Sequence, residues 1–582
     1  MERNRRRRRQ SVITDALPND PRWWIVIAVV LVLVVTGVAI YIYKYAPTRE
    51  RLELTDYYHA ITEDEAITFL NGEYMETAED ASYGYTVVMN DTPYIELGFL
   101  KDYLDDGYVY DSAAGILRYT TDSEIISVNL GETTYSIGRS ATDMGQTIIV
   151  EQYGTTYLST EFVKLFTDVD YTLTEGTPNR VVYQSVGYTK NVAKVKKDTV
   201  LRQFGGPKSK IVTDITKADE VVIVETYGKW VRVLTADGVI GCIKNKYLVD
   251  KTEETVEARL EERQYNHIAM DETVCLAWHQ VTSEAANSSL DSALEGTSGV
   301  NVISPTWFQL ADNNGGLSSY ASLDYVTECH NRGLQVWALF SNFERDDVSS
   351  STVLNNTASR DNLINNIIAK AVAYDLDGVN IDFEQLDEEC ADGFIEFIRE
   401  LSIKCENNDL VLSVDNYVPS SYHAFYNYEE QGKYADYVVI MGYDEHYGGD
   451  DEAGSTASLS FVSQGVTDML EYVSADQIVL GMPFYTRIWE SDGDTLTSSV
   501  LYMSKTAEYL EKHNATTTWL DDQGQYYAEF TEDGKTYQIW VEDAESMAKK
   551  LQVMQSNNLA GAAFWKLTLE SDSIWDVISQ YM

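Results

Sequence analysis

The sequence predicts an α/β chain whose C-terminal half is a (β/α)8 TIM barrel. Two observations support this prediction. From Val274 onward, apolar strand-like runs alternate with helical runs. One of these runs, Gly378 to Glu384, lies between two helical segments and alternates apolar and polar side chains with period two. A transmembrane helix, a small α+β domain and a small β-barrel are expected before the TIM barrel.

The N-terminal segment has the pattern of a membrane anchor. From Trp23 to Tyr43 no residue is charged, and about 20 apolar residues span a bilayer as a helix. We therefore predict a basic tail over 1–22 and a signal anchor over 23–45. Arg3 and Arg5 to Arg9 in the tail place the N-terminus in the cytoplasm. We expect a single-pass protein of the cell membrane with an extracellular catalytic domain. A cleaved leader is the alternative.

Charge and cysteine content narrow the class of ligand. The net charge of the 582-residue chain is -48. Such an acidic protein repels nucleic acid and anionic polymers and favours a neutral glycan, although the charge also serves solubility alone. The five cysteines are scattered without a CxxC pair, so we predict buried thiols rather than a disulfide framework.

An internal repeat follows a predicted stalk at 46–82. Tyr94 to Leu100 aligns with Tyr157 to Val163, and each copy reads as strand, short helix, strand. The predicted domain, 83–185, resembles the non-catalytic domain named after the N-terminus of copper amine oxidases. That name implies no copper here, because no histidine cluster accompanies the repeat. The resemblance implies a spacer or a wall-binding module.

Residues 190–250 read as short alternating strands. Gly228 to Val233, followed by Asp237 to Gly241, resembles bacterial Src-homology-3-like barrels. The resemblance implies a module that binds peptidoglycan peptides, with Trp230 either in its core or exposed as a ligand platform. A linker is predicted over 251–270, with a charged helix from Thr252 to Gln264.

The catalytic barrel is predicted over 271–582, with an α+β insertion between strands 7 and 8. The insertion is expected to hold a helix near Ser504 to His513 and strands around Thr516 to Trp519, Tyr526 to Phe530 and Tyr537 to Trp540. The eight strand candidates are Val274 to Trp278, Val300 to Ser304, Gln335 to Phe340, Gly378 to Glu384, Val411 to Val414, Tyr437 to Tyr443, Ile478 to Pro483 and Gly561 to Leu567.

The fourth predicted strand contains the candidate catalytic residues. On it Asn380, Asp382 and Glu384 share one face, and burying such groups without a task or partners costs several kcal/mol. With Asp377, they resemble the D-x-x-D-x-D-x-E signature of glycoside hydrolase family 18, the chitinase-like enzymes. Asn380 replaces the middle Asp, as in the family branch that includes peptidoglycan-cleaving spore-cortex enzymes.

Barrel active sites lie at the C-terminal ends of the strands, so Glu384 is expected at the rim as general acid. Asp382, about 6–7 Å below it, should raise the pKa of Glu384. Two carboxylates on one strand face cannot flank a sugar, and this family uses the substrate itself as nucleophile. The resemblance implies that Asp382 orients the 2-acetamido group and that Asn380 hydrogen-bonds to Asp382. Asp377 would hold the strand entry in a binding or a structural role.

Further positions match the family one at a time. Met441 to Asp444 resembles its M-x-Y-D segment, which implies Tyr443 at the acetamido oxygen and Met441 and Asp444 near the sugar. Trp565 matches the aromatic floor of the subsite, where a flat ring stacks on a pyranose. Tyr485 and Arg487 are candidate rim contacts. Core packing is the alternative for Tyr443 and Trp565. Further candidates for lining the cleft, none of them favoured individually, are Trp278, Trp307 and Trp337.

Together these features predict a retaining glycosidase that cleaves β-1,4 bonds of N-acetylglucosamine-containing glycans, with peptidoglycan favoured over chitin. We expect no cofactor and no metal. The expected partners are the polysaccharide, the bacterial cell wall through the accessory domains and the membrane through the N-terminal helix, with the protein itself a monomer. The alternative is a catalytically weak carbohydrate-binding or wall-scaffold protein on the same barrel.

Overall fold

A closed barrel of eight parallel strands forms the larger part of the chain. The computed structural model describes residues 21–78, 81 and 83–582. Pairing of β8 with β1 and of β2 with β3 closes the barrel, which confirms the predicted fold class and all eight strands. The strands are β1 (Val274–His279), β2 (Val302–Pro305), β3 (Gln335–Ser341), β4 (Gly378–Asp382), β5 (Val411–Tyr417), β6 (Tyr437–Met441), β7 (Ile478–Pro483) and β8 (Gly561–Trp565).

Strand β4 shows why its polar residues are buried. It lies between two long helices, α1 (Thr357–Tyr374) and α2 (Ala391–Glu406). Val379, Ile381 and Phe383 pack outward into the apolar layer beneath the helices. Because successive side chains of a strand point to opposite faces, Asn380 and Asp382 face the barrel interior.

The other elements around the barrel are shorter. Two small strands, Phe308–Leu310 and Leu317–Ser319, extend the sheet beyond β3. The α-helices besides α1 and α2 are Leu290–Ala293, Leu323–Asn331, Ser350–Asn355, Tyr428–Tyr434, Leu459–Met469, Ala544–Ser556 and Ile574–Ile578.

The insertion between β7 and β8 is an antiparallel sheet with one helix, Met503–Lys512. Two of its strands, Tyr485–Asp492 and Thr495–Tyr502, form a hairpin that the sequence analysis does not identify. The other three strands are Thr517–Leu520, Gln525–Glu532 and Lys535–Val541.

A second antiparallel sheet, distant in sequence, belongs to the same compact unit as the barrel. That unit comprises Asp105–Val150 and Glu262–Met582. Thr120 Oγ1 donates to Glu396 of α2 at 2.8 Å, and Arg118 bonds Asp361 of α1 at 2.7 Å. We call this element the docked sheet; its strands are Tyr108–Asp111, Ile116–Thr120, Ile125–Asn129, Thr134–Ile137 and Ser140–Asp143.

Charged side chains lie buried where the docked sheet meets α1 and α2. Arg360 bonds Glu400 at 2.8 Å, and each side chain is 1% exposed. Arg399 bonds Glu430 at 2.5 Å. Burial, with the charge of Glu400, raises the pKa of Glu396 to about 7. Removing one partner of such a pair leaves an uncompensated buried charge.

The second compact unit comprises Met1–Leu104 and Glu151–Glu261. Both repeat copies contain a strand followed by a short helix, Thr92–Glu96 with Leu97–Tyr103 and Thr155–Ser159 with Thr160–Phe166. The two strands pair with each other antiparallel. The predicted domain at 83–185 is therefore divided, because its middle part folds with the barrel.

Residues of the predicted stalk are folded rather than extended. Ala66–Leu70, an apolar run, forms a fully buried strand that pairs in parallel with Asn179–Ser185. Further elements of this part are the helix Leu54–Tyr58 and the strands Glu73–Tyr74, Thr86–Met89, Ile149–Gln152 and Val169–Thr174.

Seven strands form the sheet over 189–255. The predicted linker helix is wrong: Leu248–Thr255 is a strand that pairs with Thr189–Val195, and residues 256–270 form neither helix nor strand. The remaining strands of this sheet are Thr199–Arg202, Ile211–Ile215, Glu220–Tyr227, Trp230–Thr235 and Ile240–Lys244.

The apolar N-terminal segment is a 25-residue helix, Pro21–Tyr45. At about 1.5 Å per residue it is long enough to cross a bilayer, and Arg22–Tyr45 qualifies by hydropathy. Such a helix is compatible with a signal anchor or a signal sequence. Of the predicted basic tail over 1–22, residues 1–20 lie outside the part of the chain that the structure describes. Each of the five cysteines is buried with a free thiol.

Candidate active site

A cleft opens at the C-terminal ends of the barrel strands. Its volume is about 780 Å³, which is within the range of small-molecule sites. The predicted residues that line it are Asp382, Glu384, Met441, Tyr443, Asp444, Trp565 and Trp278. Lining residues that the sequence analysis does not identify include Gln280, Thr306, Glu344, Arg345, Asp415 and Tyr417.

Asn380 lies directly beneath this cleft and is fully buried. Its side-chain oxygen accepts from Trp278 Nε1 at 2.9 Å and Ser304 Oγ at 3.1 Å. Its amide nitrogen donates to Ser413 Oγ at 2.9 Å and Asp415 Oδ1 at 2.8 Å. The expected bond to Asp382 is not formed, because these four partners occupy both ends of the Asn380 amide.

Asp382 ends β4 and is 6% exposed. Its Oδ1 is buried and has no hydrogen-bond partner within the described part of the chain. Burial, then the charges of Asp415 and Glu384, raise the pKa of Asp382 well above its ordinary value. An acceptor oxygen is therefore available at the floor of the cleft.

Glu384 stands at the rim as predicted, held through its backbone by Asn342. Its N–H donates to Asn342 Oδ1 at 2.8 Å, and its carbonyl accepts from Asn342 Nδ2 at 2.9 Å. Tyr417 donates its hydroxyl to Glu384 Oε2 at 2.7 Å. Burial is the largest cause that raises the pKa of Glu384, and the charges of Asp444 and Glu344 raise it further. A carboxyl group in this environment retains its proton to higher pH than an exposed one.

Strand β5 supplies two site residues that the sequence analysis does not identify, Asp415 and Tyr417. Asp415 is 3% exposed, and burial raises its pKa to about 8. The signal that could have found them is the period-two set Ser413, Asp415 and Tyr417 on one face. The predicted strand ended at Val414 and so excluded both.

The end of β6 contributes Tyr443 and Asp444. Burial, followed by the charges of Asp382 and Asp415, raises the pKa of Tyr443 well above its ordinary value. All three side chains line the same cleft. Tyr485 donates its hydroxyl to Asp444 Oδ1 at 2.6 Å. Arg487 bonds Ser498 Oγ at 3.0 Å. Tyr485 thus supports a cleft residue from the insertion, whereas the bond of Arg487 lies within the hairpin, and neither residue lines the cleft.

Two tryptophans meet at the cleft floor. The rings of Trp278 and Trp565 are 5.8 Å apart at 64°. Trp565 is partly exposed in the cleft, as a stacking platform requires. Trp307 and Trp337 are fully buried and donate to Asn287 and Gln335, so they do not line the cleft.

Asp377 is not brought to the cleft. It precedes β4 at the opposite end of the strand, where its carboxylate accepts from the backbone N–H of Val336 at 2.7 Å and from His330 Nε2 at 2.9 Å. These contacts anchor the start of β4 beside β3. They match a structural role for Asp377 rather than a role in binding.

This arrangement combines a carboxyl group with a raised pKa at Glu384, a buried carboxyl oxygen of Asp382 that the described residues leave without a hydrogen-bond partner, and an aromatic platform. A rim acid of this kind can protonate a glycosidic oxygen. The carboxylate oxygen can accept a hydrogen bond from a substrate N–H, and the platform can stack against a sugar ring.

Comparison with known proteins identifies the family. Residues 273–570 match the model of glycosyl hydrolases family 18. The uncharacterized glycosylase YvbX of Bacillus subtilis (strain 168) is 25% identical over 280 residues, 46% of this chain and 80% of that protein. The cortical fragment-lytic enzyme of Bacillus anthracis is 22% identical over 256 residues, 41% of this chain and 58% of that enzyme.

The chain is also similar to solved structures. The Bacillus cereus spore cortex-lytic enzyme SleL is 19% identical with a TM-score of 0.49, and the match covers 56% of this chain and 79% of that one. The family match spans just over half of the present chain and contains the whole cleft. The chain therefore belongs to glycosyl hydrolases family 18, and it is a glycosidase.

Proposed function

We propose that the protein is a membrane-anchored, extracellular glycosidase that cleaves β-1,4 bonds of N-acetylglucosamine-containing glycans by a retaining, substrate-assisted reaction. Peptidoglycan is the favoured substrate and chitin the next. The observation that carries the mechanism is Asp382, which lines the cleft with Glu384 and Tyr443 and whose buried Oδ1 has no hydrogen-bond partner among the described residues.

Each step of the reaction is assigned to a side chain of the site. Glu384 gives its proton to the glycosidic oxygen while the 2-acetamido oxygen of the substrate attacks the anomeric carbon. Asp382 accepts the acetamido N–H, and Tyr443 donates to the acetamido oxygen. Water then opens the oxazoline with Glu384 as base, so the configuration is retained. Trp565 stacks beneath the reacting sugar.

Support for peptidoglycan comes from the family branch and the relatives. The amide at Asn380 matches the cortex-enzyme branch of the family, and relatives include proteins described as cortical fragment-lytic enzymes. The cleft is also strongly acidic, with five carboxyl groups among its lining residues, Glu344, Asp382, Glu384, Asp415 and Asp444. It therefore favours uncharged sugar faces, a property that does not itself favour peptidoglycan over chitin.

Incubation of the full-length protein with purified peptidoglycan and, separately, with chitin oligomers tests substrate and activity together. Mass analysis should find fragments ending in N-acetylglucosamine, more from peptidoglycan than from chitin. A thiazoline analogue of N-acetylglucosamine should inhibit cleavage. Efficient cleavage of fully deacetylated chitosan would exclude substrate assistance, because such a chain has no acetamido nucleophile. Binding without cleavage of any of these glycans would favour the carbohydrate-binding alternative.

The anchor is tested separately on intact cells. Added protease should release the barrel and leave a short membrane stub. A barrel protected in intact cells, or a mature protein that lacks residues 1–45, would contradict an anchored, exported enzyme.

A further inference from the structure

A second buried carboxyl group lies on the strand beside Asp382. β4 and β5 pair in register up to Ile381 with Val414, so the next step places Asp382 beside Asp415. Neighbouring parallel strands lie about 4.8 Å apart. Both side chains line the cleft, and each is less than a tenth exposed.

The orientation of the Asn380 side-chain amide determines which of its atoms faces Asp415. Trp278 Nε1 can only donate, so the group that it bonds at 2.9 Å must be the amide oxygen of Asn380. The amide nitrogen therefore faces Asp415 and donates to its Oδ1 at 2.8 Å. This bond engages one oxygen of Asp415, whose side chain also lines the cleft.

Two carboxyl groups this close and this buried do not both ionise near neutral pH. The charge of Asp415 raises the pKa of Asp382, and the charge of Glu384 raises the pKa of Asp415. Asn380 itself cannot hold a proton, because an amide has no titratable group in this range.

We propose that Asp382 and Asp415 share one proton, and that Asp415 is the positioning residue that keeps this proton while Asp382 receives the acetamido N–H of the substrate. The inference rests on the proposed function. Where the common motif has a second Asp on the same strand, this chain has Asn380 and places the second carboxyl group one strand away.

Asp382 and Asp415 together carry the same single proton throughout. When substrate enters, the shared proton leaves Asp382 and stays on an oxygen of Asp415, so that Asp382 becomes an acceptor. When product leaves, the proton is shared again. No proton is exchanged with solvent, and Glu384 keeps its own proton for the glycosidic oxygen.

Moving the carboxyl group from position 415 to position 380 tests whether Asp382 needs a carboxyl neighbour. The full-length protein is compared with Asp415→Asn, with Asn380→Asp/Asp415→Asn and with Ser413→Ala, on whichever of chitotetraose or peptide-free glycan strands the wild type cleaves. Asp415→Asn should lower kcat by about 10²-fold with little change in KM, since the shape of the sugar site is kept. The double variant returns a carboxyl group next to Asp382 and should recover most of kcat. Ser413→Ala also removes a hydrogen bond to Asn380, but it should stay close to wild type.

The outcomes separate the proposal from a purely structural role. Wild-type kcat in Asp415→Asn would overturn it. So would a double variant that folds but is no faster than Asp415→Asn, or a Ser413→Ala variant that is equally slow. If Asp415→Asn does not fold, the folded double variant is compared directly with wild type, and its inactivity overturns the pair. A wild type that cleaves neither glycan overturns the proposed function as well.

Discussion

At the residue scale, Glu384 is the group on which hydrolysis should depend. Replacing it with Gln keeps the shape but removes the proton, and loss of a general acid costs about 10²–10⁴-fold in rate. Glu384→Gln should therefore lose that much kcat while its unfolding transition and saccharide binding stay near wild type. The matched control is Glu388→Gln, because Glu388 is exposed just after the motif. Near-normal turnover by Glu384→Gln would remove its assignment as the acid.

The pH dependence should follow the hydrogen bond from Tyr417. That bond at 2.7 Å stabilises the ionised form of Glu384 and lowers its pKa. In Tyr417→Phe the pKa of Glu384 should rise, so the acid form persists to higher pH. The alkaline limb of the kcat profile should therefore move to higher pH, as measured over a pH series with buffer controls. A shift to lower pH would show that Tyr417 does not act through Glu384.

Period-two alternation made most of the site predictable. Asp382 ends β4, and Glu384 and Tyr443 follow the ends of β4 and β6, so their place at the C-terminal end of the barrel follows from strand direction alone. Asp415 follows the same rule, but it lies beyond Val414, where the predicted strand ends. The hydrogen bonds of Asn380 could not be predicted, since they depend on which strand lies beside β4 and not on spacing along it.

At the scale of elements, the interface of α1 and α2 with the docked sheet depends on buried charge. Arg360→Ala removes the 2.8 Å partner of Glu400, which is 1% exposed, and leaves it the longer contact with Arg118 at 3.8 Å; breaking a buried pair costs about 3–5 kcal/mol. Urea unfolding followed by tryptophan fluorescence should show a loss of this size. The control is Lys505→Ala, since Lys505 and Glu508 pair with side chains 64% and 77% exposed, worth about 0–1 kcal/mol. Equal losses in both variants would contradict a special role for the interface.

The same interface explains what could not be predicted among the elements. The eight barrel strands are local patterns of four to seven residues, each readable by itself. The sequence analysis places the docked sheet in the repeat domain, because its residues lie within the range of that predicted domain. Its partners, Glu396 and Asp361, are more than 200 residues away, and no local pattern records such a contact.

At the scale of the whole molecule, the catalytic unit does not coincide with the family domain. A fragment that begins at Asp271 lacks the docked sheet and exposes the buried charges of α1 and α2. Its thermal transition should fall at least about 5 °C below that of residues 46–582, as expected for a loss of a few kcal/mol. Calorimetry of the two proteins makes the comparison. Identical transitions would mean that the sheet adds nothing to barrel stability.

The docked sheet also sets an order of events during synthesis. Thr120 and Glu396 are 276 residues apart, and ribosomes add about 5–20 residues per second. The sheet is therefore made tens of seconds before the helix that receives it. Contacts between such distant segments form late and slowly, so the catalytic unit cannot complete its fold until α2 has been synthesised. During that interval the face of the sheet that α1 and α2 later cover has no partner.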